Sequence, residues 1–192
     1  SGGISINNPV DFDVVELGAN TTLRLTGNYK VGNVQEVNND AVNTTLEIAA
    51  GKGNSINSSG TMHMDRILVS SGNFNVFHDI NSLVTSGPVT VPASAIDGIE
   101  LGNDASMTTF ANVSVNQVLR NQELIAAGED VSNTTLAVNA DHFQVLRNVD
   151  VDNLVTNGGV FEFMNKDGNN AVNVTNDIQL KPYAALAGSG VL

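Results

Sequence analysis

Three histidines, His63, His78 and His142, are the side chains best suited to metal or proton-transfer chemistry. None falls in the His-x-x-x-His or His-Glu-x-x-His spacing that places two imidazoles on one helix face around zinc. His63 is the middle residue of Met62-His63-Met64, the outward place of an alternating strand, so it is expected at the surface as an ordinary polar residue. Carboxylate pairs come next: Asp11/Asp13, Glu129/Asp130 and Asp150/Asp152. Glycoside cleavage needs two carboxyls about 5–9.5 Å apart across the scissile bond. Residues i and i+2 of a strand share a face at roughly 7 Å. Asp150 and Asp152 therefore meet the distance, as would acids on neighbouring strands. The plainer reading, acids on a solvated face or capping turns, is preferred.

Other chemical motifs are weaker. A serine nucleophile needs a strained elbow such as Gly-x-Ser-x-Gly, and Gly188-Ser189-Gly190 lacks that spacing. Gly51-Lys52-Gly53-Asn54 lacks the phosphate-loop pattern and reads as a turn. The loop Asn165-Lys166-Asp167-Gly168-Asn169-Asn170 carries oxygen ligands, but its glycine comes fourth rather than sixth, so it is not an EF-hand. Weak Ca2+ binding is the most it would offer, and no other cofactor is expected. Asn-x-Ser/Thr triplets begin at Asn20, Asn43, Asn57, Asn112, Asn133 and Asn173, close to the number chance gives in so Asn-rich a chain.

The elements that must position these residues are short strands. An apolar–polar–apolar unit recurs thirteen times, for example as Leu23-Arg24-Leu25, Leu46-Glu47-Ile48, Phe74-Asn75-Val76, Val89-Thr90-Val91, Leu136-Ala137-Val138 and Ile178-Gln179-Leu180. Such alternation buries the outer two side chains and exposes the middle one. The units are expected to form strands of about three to five residues, bounded by Gly and Asn turns. Longer words recur too. Asn-Thr-Thr-Leu starts at Asn20, Asn43 and Asn133, with a relative at Met107-Thr108-Thr109-Phe110. Val-Leu-Arg-Asn starts at Val118 and Val145, and Leu-Val-Ser/Thr-x-Gly at Leu68, Leu83 and Leu154. Intervals of about 20–30 residues suit stacked repeats. A short helix is expected near 116–127, stopped by Gly128.

Composition narrows the function classes. Twenty Asp+Glu against eight Lys+Arg give a formal charge of −12, which disfavours nucleic acid and anionic membranes. No apolar run approaches the roughly 20 residues of a membrane helix, and no basic-then-apolar stretch opens the chain. Cysteine is absent, so disulfides and thiolate chemistry are excluded. Asparagine, at 27 of 192 residues, is the anomaly, and with 18 glycines it implies many turns.

These features predict one all-β domain over 1–192, a parallel β-solenoid of short stacked strands, with a β-sandwich as the alternative. The Asn/Thr/Gly-rich, cysteine-free repeats resemble the passenger domains of Gram-negative autotransporters and related bacterial surface adhesins. That resemblance implies a cell-surface or secreted location and a role in adhesion or self-association, through the module itself or a host-surface partner, glycans included. It carries no specific catalytic residue, and the chain is expected to be a structural module, not an enzyme. The alternative is a carbohydrate-binding or carbohydrate-cleaving module such as part of a phage tail spike.

Overall fold

The computed structural model describes residues 2–6, 14–39, 41–82, 95–164 and 171–188. The protein is all-β, with parallel strands in curled sheets that form a half-barrel, and with one short α-helix among the described residues. No helix among the described residues is long and apolar enough to cross a membrane.

Three series of strands make up the sheets. The first runs β1 (Gly2–Ile6), β3 (Thr21–Thr26), β6 (Thr45–Ala49), β8 (His63–Ser71), β11 (Ala95–Leu101), β14 (Gln117–Arg120), β17 (Val149–Thr156) and β19 (Val172–Leu180). The second runs β4 (Tyr29–Val31), β7 (Ser55–Ser58), β9 (Asn73–Val76), β12 (Ser106–Thr109) and β15 (Thr135–Val138), then rejoins β17. The third holds β13 (Val113–Val115), β16 (His142–Val145), β18 (Gly159–Phe163) and β20 (Ala184–Gly188). A pair, β2 (Val14–Leu17) and β5 (Asn33–Glu36), and the short β10 (Asn81–Ser82) beside β11 complete the set. Every pairing between described strands is parallel, whereas hairpin-linked strands of a sandwich pair antiparallel.

Register turns the alternation into columns. In the first series Leu23 pairs with Leu46, Leu46 with Ile67, Ile67 with Ile99, Ile99 with Val118 and Val118 with Val149. All six are fully buried. In the second series Ile56, Phe74, Met107, Leu136 and Leu154 form a like column, also buried. The third contributes Val113, Phe143 and Phe161, with the two rings stacked 5.6 Å apart. The alternation rule therefore holds along most of the chain: Leu25, Ile48 and Val138 are buried and Arg24 is exposed, while Glu47 is half-buried by its Arg24 ion pair.

Five described strands exceed the expected three to five residues: β3 with six, β11 with seven, and three longer ones. β17 has eight residues because its start pairs with β14 through Val149 while Asn153–Thr156 pair with β15, so the strand bends from one series into the next. β19 follows it with nine residues and a register shift beside Val151/Asn153. β8, also nine, pairs with β11 from its first residue and with β6 only from Arg66 onward. Elsewhere glycine makes the corner. Gly72 has φ 80°, and a Cβ there would lie 2.6 Å from the Gly51 carbonyl oxygen. At Gly159, with φ 72°, it would lie 2.2 Å from the Ala140 oxygen. Both corners need a residue without a side chain.

Asparagine does more than turn the chain. Left-handed backbone occurs at Asn20, Asn38, Asn43 and Asn133, with φ of 57–58°. Many other asparagines bond to the neighbouring strand or turn. Asn28 Oδ1 accepts from Ser55 N–H at 2.7 Å, Asn33 Oδ1 from Thr61 N–H at 2.8 Å and Asn112 Oδ1 from His142 N–H at 2.9 Å. Asn75 donates to Asn57 at 2.7 Å, and Asn157 to Asn139. Asn28, Asn33 and Asn112 thus satisfy backbone N–H groups of the neighbouring segment, while Asn57 and Asn75 meet in register inside β7 and β9.

The repeated words have different fates. Asn20 and Asn43 lead into the paired strands β3 and β6, and Asn43 donates to Asn20 at 2.9 Å. Asn133 has the same backbone and leads into a strand in the same way, but in the second series. Its partner in register is Asp104-Ala105-Ser106-Met107, not the expected Met107-Thr108-Thr109-Phe110, because Met107 pairs with Leu136. Val-Leu-Arg-Asn is not a structural repeat, since Val118 pairs with Val149 rather than Val145. The copies at Leu68 and Leu154 are out of phase: Val69 points inward in one and Leu154 in the other. The helix, α1 (Gln122–Ala126), is a single turn. Residues 117–120 before it belong to β14 because they pair with β11. Asn121 caps it by accepting from Leu124 N–H at 2.9 Å.

Candidate functional site

Asp150 and Asp152 are brought to one basic group. Arg120 donates to both oxygens of Asp150, at 3.0 and 3.2 Å, and its guanidinium lies 3.8 Å from Asp152. The Asp150 hydrogen bond raises the Arg120 pKa. Asn173 donates to Asp150 from the next strand at 2.8 Å. Asp152 is buried and accepts from the N–H and hydroxyl of Thr134, both at 3.0 Å, and from the Thr175 hydroxyl. Burial alone would raise its pKa; the bonds from Thr175 and Thr134, with the charge of Arg120, hold it lowered. The acids thus tie β14, β17, β19 and the entry to β15 together.

The same device occurs earlier in the chain. Asp65 accepts from Thr44 N–H at 3.1 Å, and its own N–H donates to Thr44 Oγ1 at 2.9 Å. Thr44 and Thr134 are the first threonines of two Asn-Thr-Thr-Leu words. That shared word is the only sequence signal for the pairing.

His63 is buried at 1% exposure, a correction to its expected surface place. The chain turns a corner there: Met62 bridges to Val34, and β8 begins at His63, so all of Met62-His63-Met64 faces inward. Glu36, also buried, stands 4.0 Å from His63 and accepts from the Thr44 hydroxyl at 2.6 Å. Glu36 went unnoticed in the sequence because no nearby word marks it. His142 is half-exposed, 2.9 Å from Glu162, which also accepts from Gln144 at 2.8 Å. His78 bonds the Asp79 carbonyl. The three imidazoles stay apart from one another in separate partnerships, and no group of three or more potential metal ligands occurs among the described residues.

Two surface features have a shape that a ligand would notice. An open cleft of about 290 Å³ is lined by Thr44, Asp65, Arg66, Asp97, Gly98, Glu100 and Gln117, among others. Arg66 in it pairs with Glu123 of α1 at 3.0 Å and with Glu100 at 3.6 Å. At a corner of the second series, Phe77 and Phe110 stack in parallel with centroids 4.7 Å apart, and both rings are about half exposed. Sequence reading missed this pair because the two residues are 33 positions apart and each follows a strand.

Glu129 and Asp130 are exposed beyond the helix. Gly51-Lys52-Gly53-Asn54 is a turn, closed by Asn54 N–H donating to the Gly51 oxygen at 3.0 Å. Asp11/Asp13, Val89-Thr90-Val91, the Asn165–Asn170 loop, Leu83 and Ser189-Gly190 lie outside the described residues. Neither protein-family models, nor curated proteins, nor solved structures give a match to this chain.

Proposed function

We propose that the chain is a parallel β-solenoid serving as an extracellular structural or adhesive module of a bacterial surface or secreted protein. It would act through its exposed flanks and strand edges. The observation that carries this reading is the pairing pattern. Partners are separated by intervals such as 18 residues for Ser55 and Asn73, 23 for Leu23 and Leu46 and 30 for Val113 and Phe143. One circuit of three strands then forms one coil, and each coil rests on the last. The chemistry-bearing acids are spent on tying coils together, which leaves long polar flanks as the working surface. The formal charge of −12 keeps such a surface soluble.

The test is adhesion by the purified chain. Beads coated with it should clump or attach to cell surfaces, and soluble chain should compete. Beads that stay dispersed and bind no surface would remove the adhesive reading.

A second reading, carbohydrate binding, is favoured by the exposed Phe77–Phe110 stack beside polar corners. Aromatic surface of this kind offers a platform for the apolar face of a sugar. A glycan-array signal lost in Phe77→Ser/Phe110→Ser would shift the assignment to it.

A further inference from the structure

Asn157-Gly158 is the only Asn-Gly step in the sequence. Glycine after asparagine leaves the next backbone nitrogen unshielded by a side chain, free to close on the asparagine amide carbon. Strand pairing usually prevents this by holding both the N–H and the backbone torsions. Here β17 ends at Thr156 and β18 begins at Gly159, so both residues of the step lie between strands. The Asn157 N–H donates to the Val138 oxygen at 2.8 Å, whereas among the described residues no hydrogen bond holds the Gly158 N–H. A Cβ built on Gly158 would meet nothing within 4 Å, so the space around it is open. The Asn157 side chain is held at one atom: its Nδ2 donates to Asn139, while its Oδ1 is buried without a partner.

We propose that Asn157-Gly158 is a site of self-modification by deamidation. The Gly158 nitrogen attacks Asn157 Cγ and closes a cyclic imide. The Cγ–Nδ2 bond breaks, and the Gly158 proton leaves with Nδ2 as ammonia. Water then opens the imide at either carbonyl. One route gives an ordinary aspartyl residue; the other gives an isoaspartyl residue, whose main chain is one carbon longer. Both routes turn a neutral amide into a carboxylate and so add one negative charge to the formal −12. A carboxylate has no hydrogen to donate, so Asn139 must turn its amide to keep the contact. The aspartyl form is accommodated in that way. The isoaspartyl form is not, because the corner beside it has no slack: a Cβ at Gly159 would lie 2.2 Å from the Ala140 oxygen. The longer product therefore loosens the turn between β17 and β18.

The test follows the native chain held at mildly alkaline pH, then digested with trypsin beside an unincubated control. The peptide from Asn148 to Lys166 carries Asn148, Asn153, Asn157 and Asn165, so four rates compare within one molecule. The mass gain of deamidation is expected at Asn157 several-fold faster than at the other three, with isoaspartate detected by enzymatic methylation. Gly158→Ala should slow the conversion several-fold. Gly158 is not among the positive-φ glycines and has room for a methyl group, so alanine fits there. Circular dichroism checks that this variant folds. Asn157 left intact in the native chain, or conversion as fast in Gly158→Ala as in the native chain, would overturn the proposal.

Discussion

Asp152 of β17 and Thr134, at the entry to the neighbouring β15, hold each other by three hydrogen bonds: the threonine gives its N–H and hydroxyl to one carboxylate oxygen at 3.0 Å, and the Asp152 N–H returns to the threonine oxygen at 2.9 Å. The bonds favour the ionised carboxylate, so its folded pKa lies below the unfolded value of about 3.9. Stability from this group is therefore fully present above the unfolded pKa and is lost as pH falls through the folded one. Denaturation midpoints taken from pH 6 down towards about pH 3 should fall more steeply in the native chain than in Asp152→Asn. Parallel pH profiles would show that the carboxylate charge does not matter. Asp152→Ala, which orphans Thr134, should cost about 1–3 kcal/mol.

Leu46 and Leu180 occupy inward positions in different columns, one fully buried and one 48% exposed. Leu46→Ala should destabilise by about 2–5 kcal/mol, the range for a core leucine. Leu180→Ala should cost about 0.5 kcal/mol or less, as surface changes do. Urea titrations compare them directly. Equal costs would mean that Leu180 is as well packed as Leu46.

Asn133 has φ 57°, and its side chain donates to Asp104 at 3.0 Å. An alanine in that conformation carries about 1–2 kcal/mol of strain that glycine avoids. Asn133→Ala should be less stable than Asn133→Gly by about that amount, and the same order should hold at Asn43. If alanine matched glycine, the left-handed turn would not be a constraint.

The alternation of Leu-x-Leu words made the strands and their inward faces readable, because period two is a property of the strand alone. His63 escaped that logic. The corner at Met62 buries three consecutive residues and sets His63 beside Glu36, 27 positions earlier, and local period says nothing of such a partner. The abundance of asparagine signalled turns correctly but not the amide ladders between strands, since Asn57 and Asn75 meet only once register is set. Register also decided which repeated words were real: Asn20 and Asn43 align, while Val118 and Val145 do not. The acid pair Asp150/Asp152 was legible as a pair; its occupation by Arg120 and Thr134 needed the neighbouring strands.

The proposed self-association through strand edges is opposed by the protein's charge. At −12, copies repel one another, and 0.1 M salt shortens that repulsion to about 10 Å. Acidification towards the sequence pI of 4.3, or divalent cations, should weaken it as well. Sedimentation of the native chain across salt, pH and Ca2+, with circular dichroism alongside, measures the consequence. Average mass is expected to rise with each change while the β signal persists. A chain that stays monomeric through all three, still folded, would contradict it.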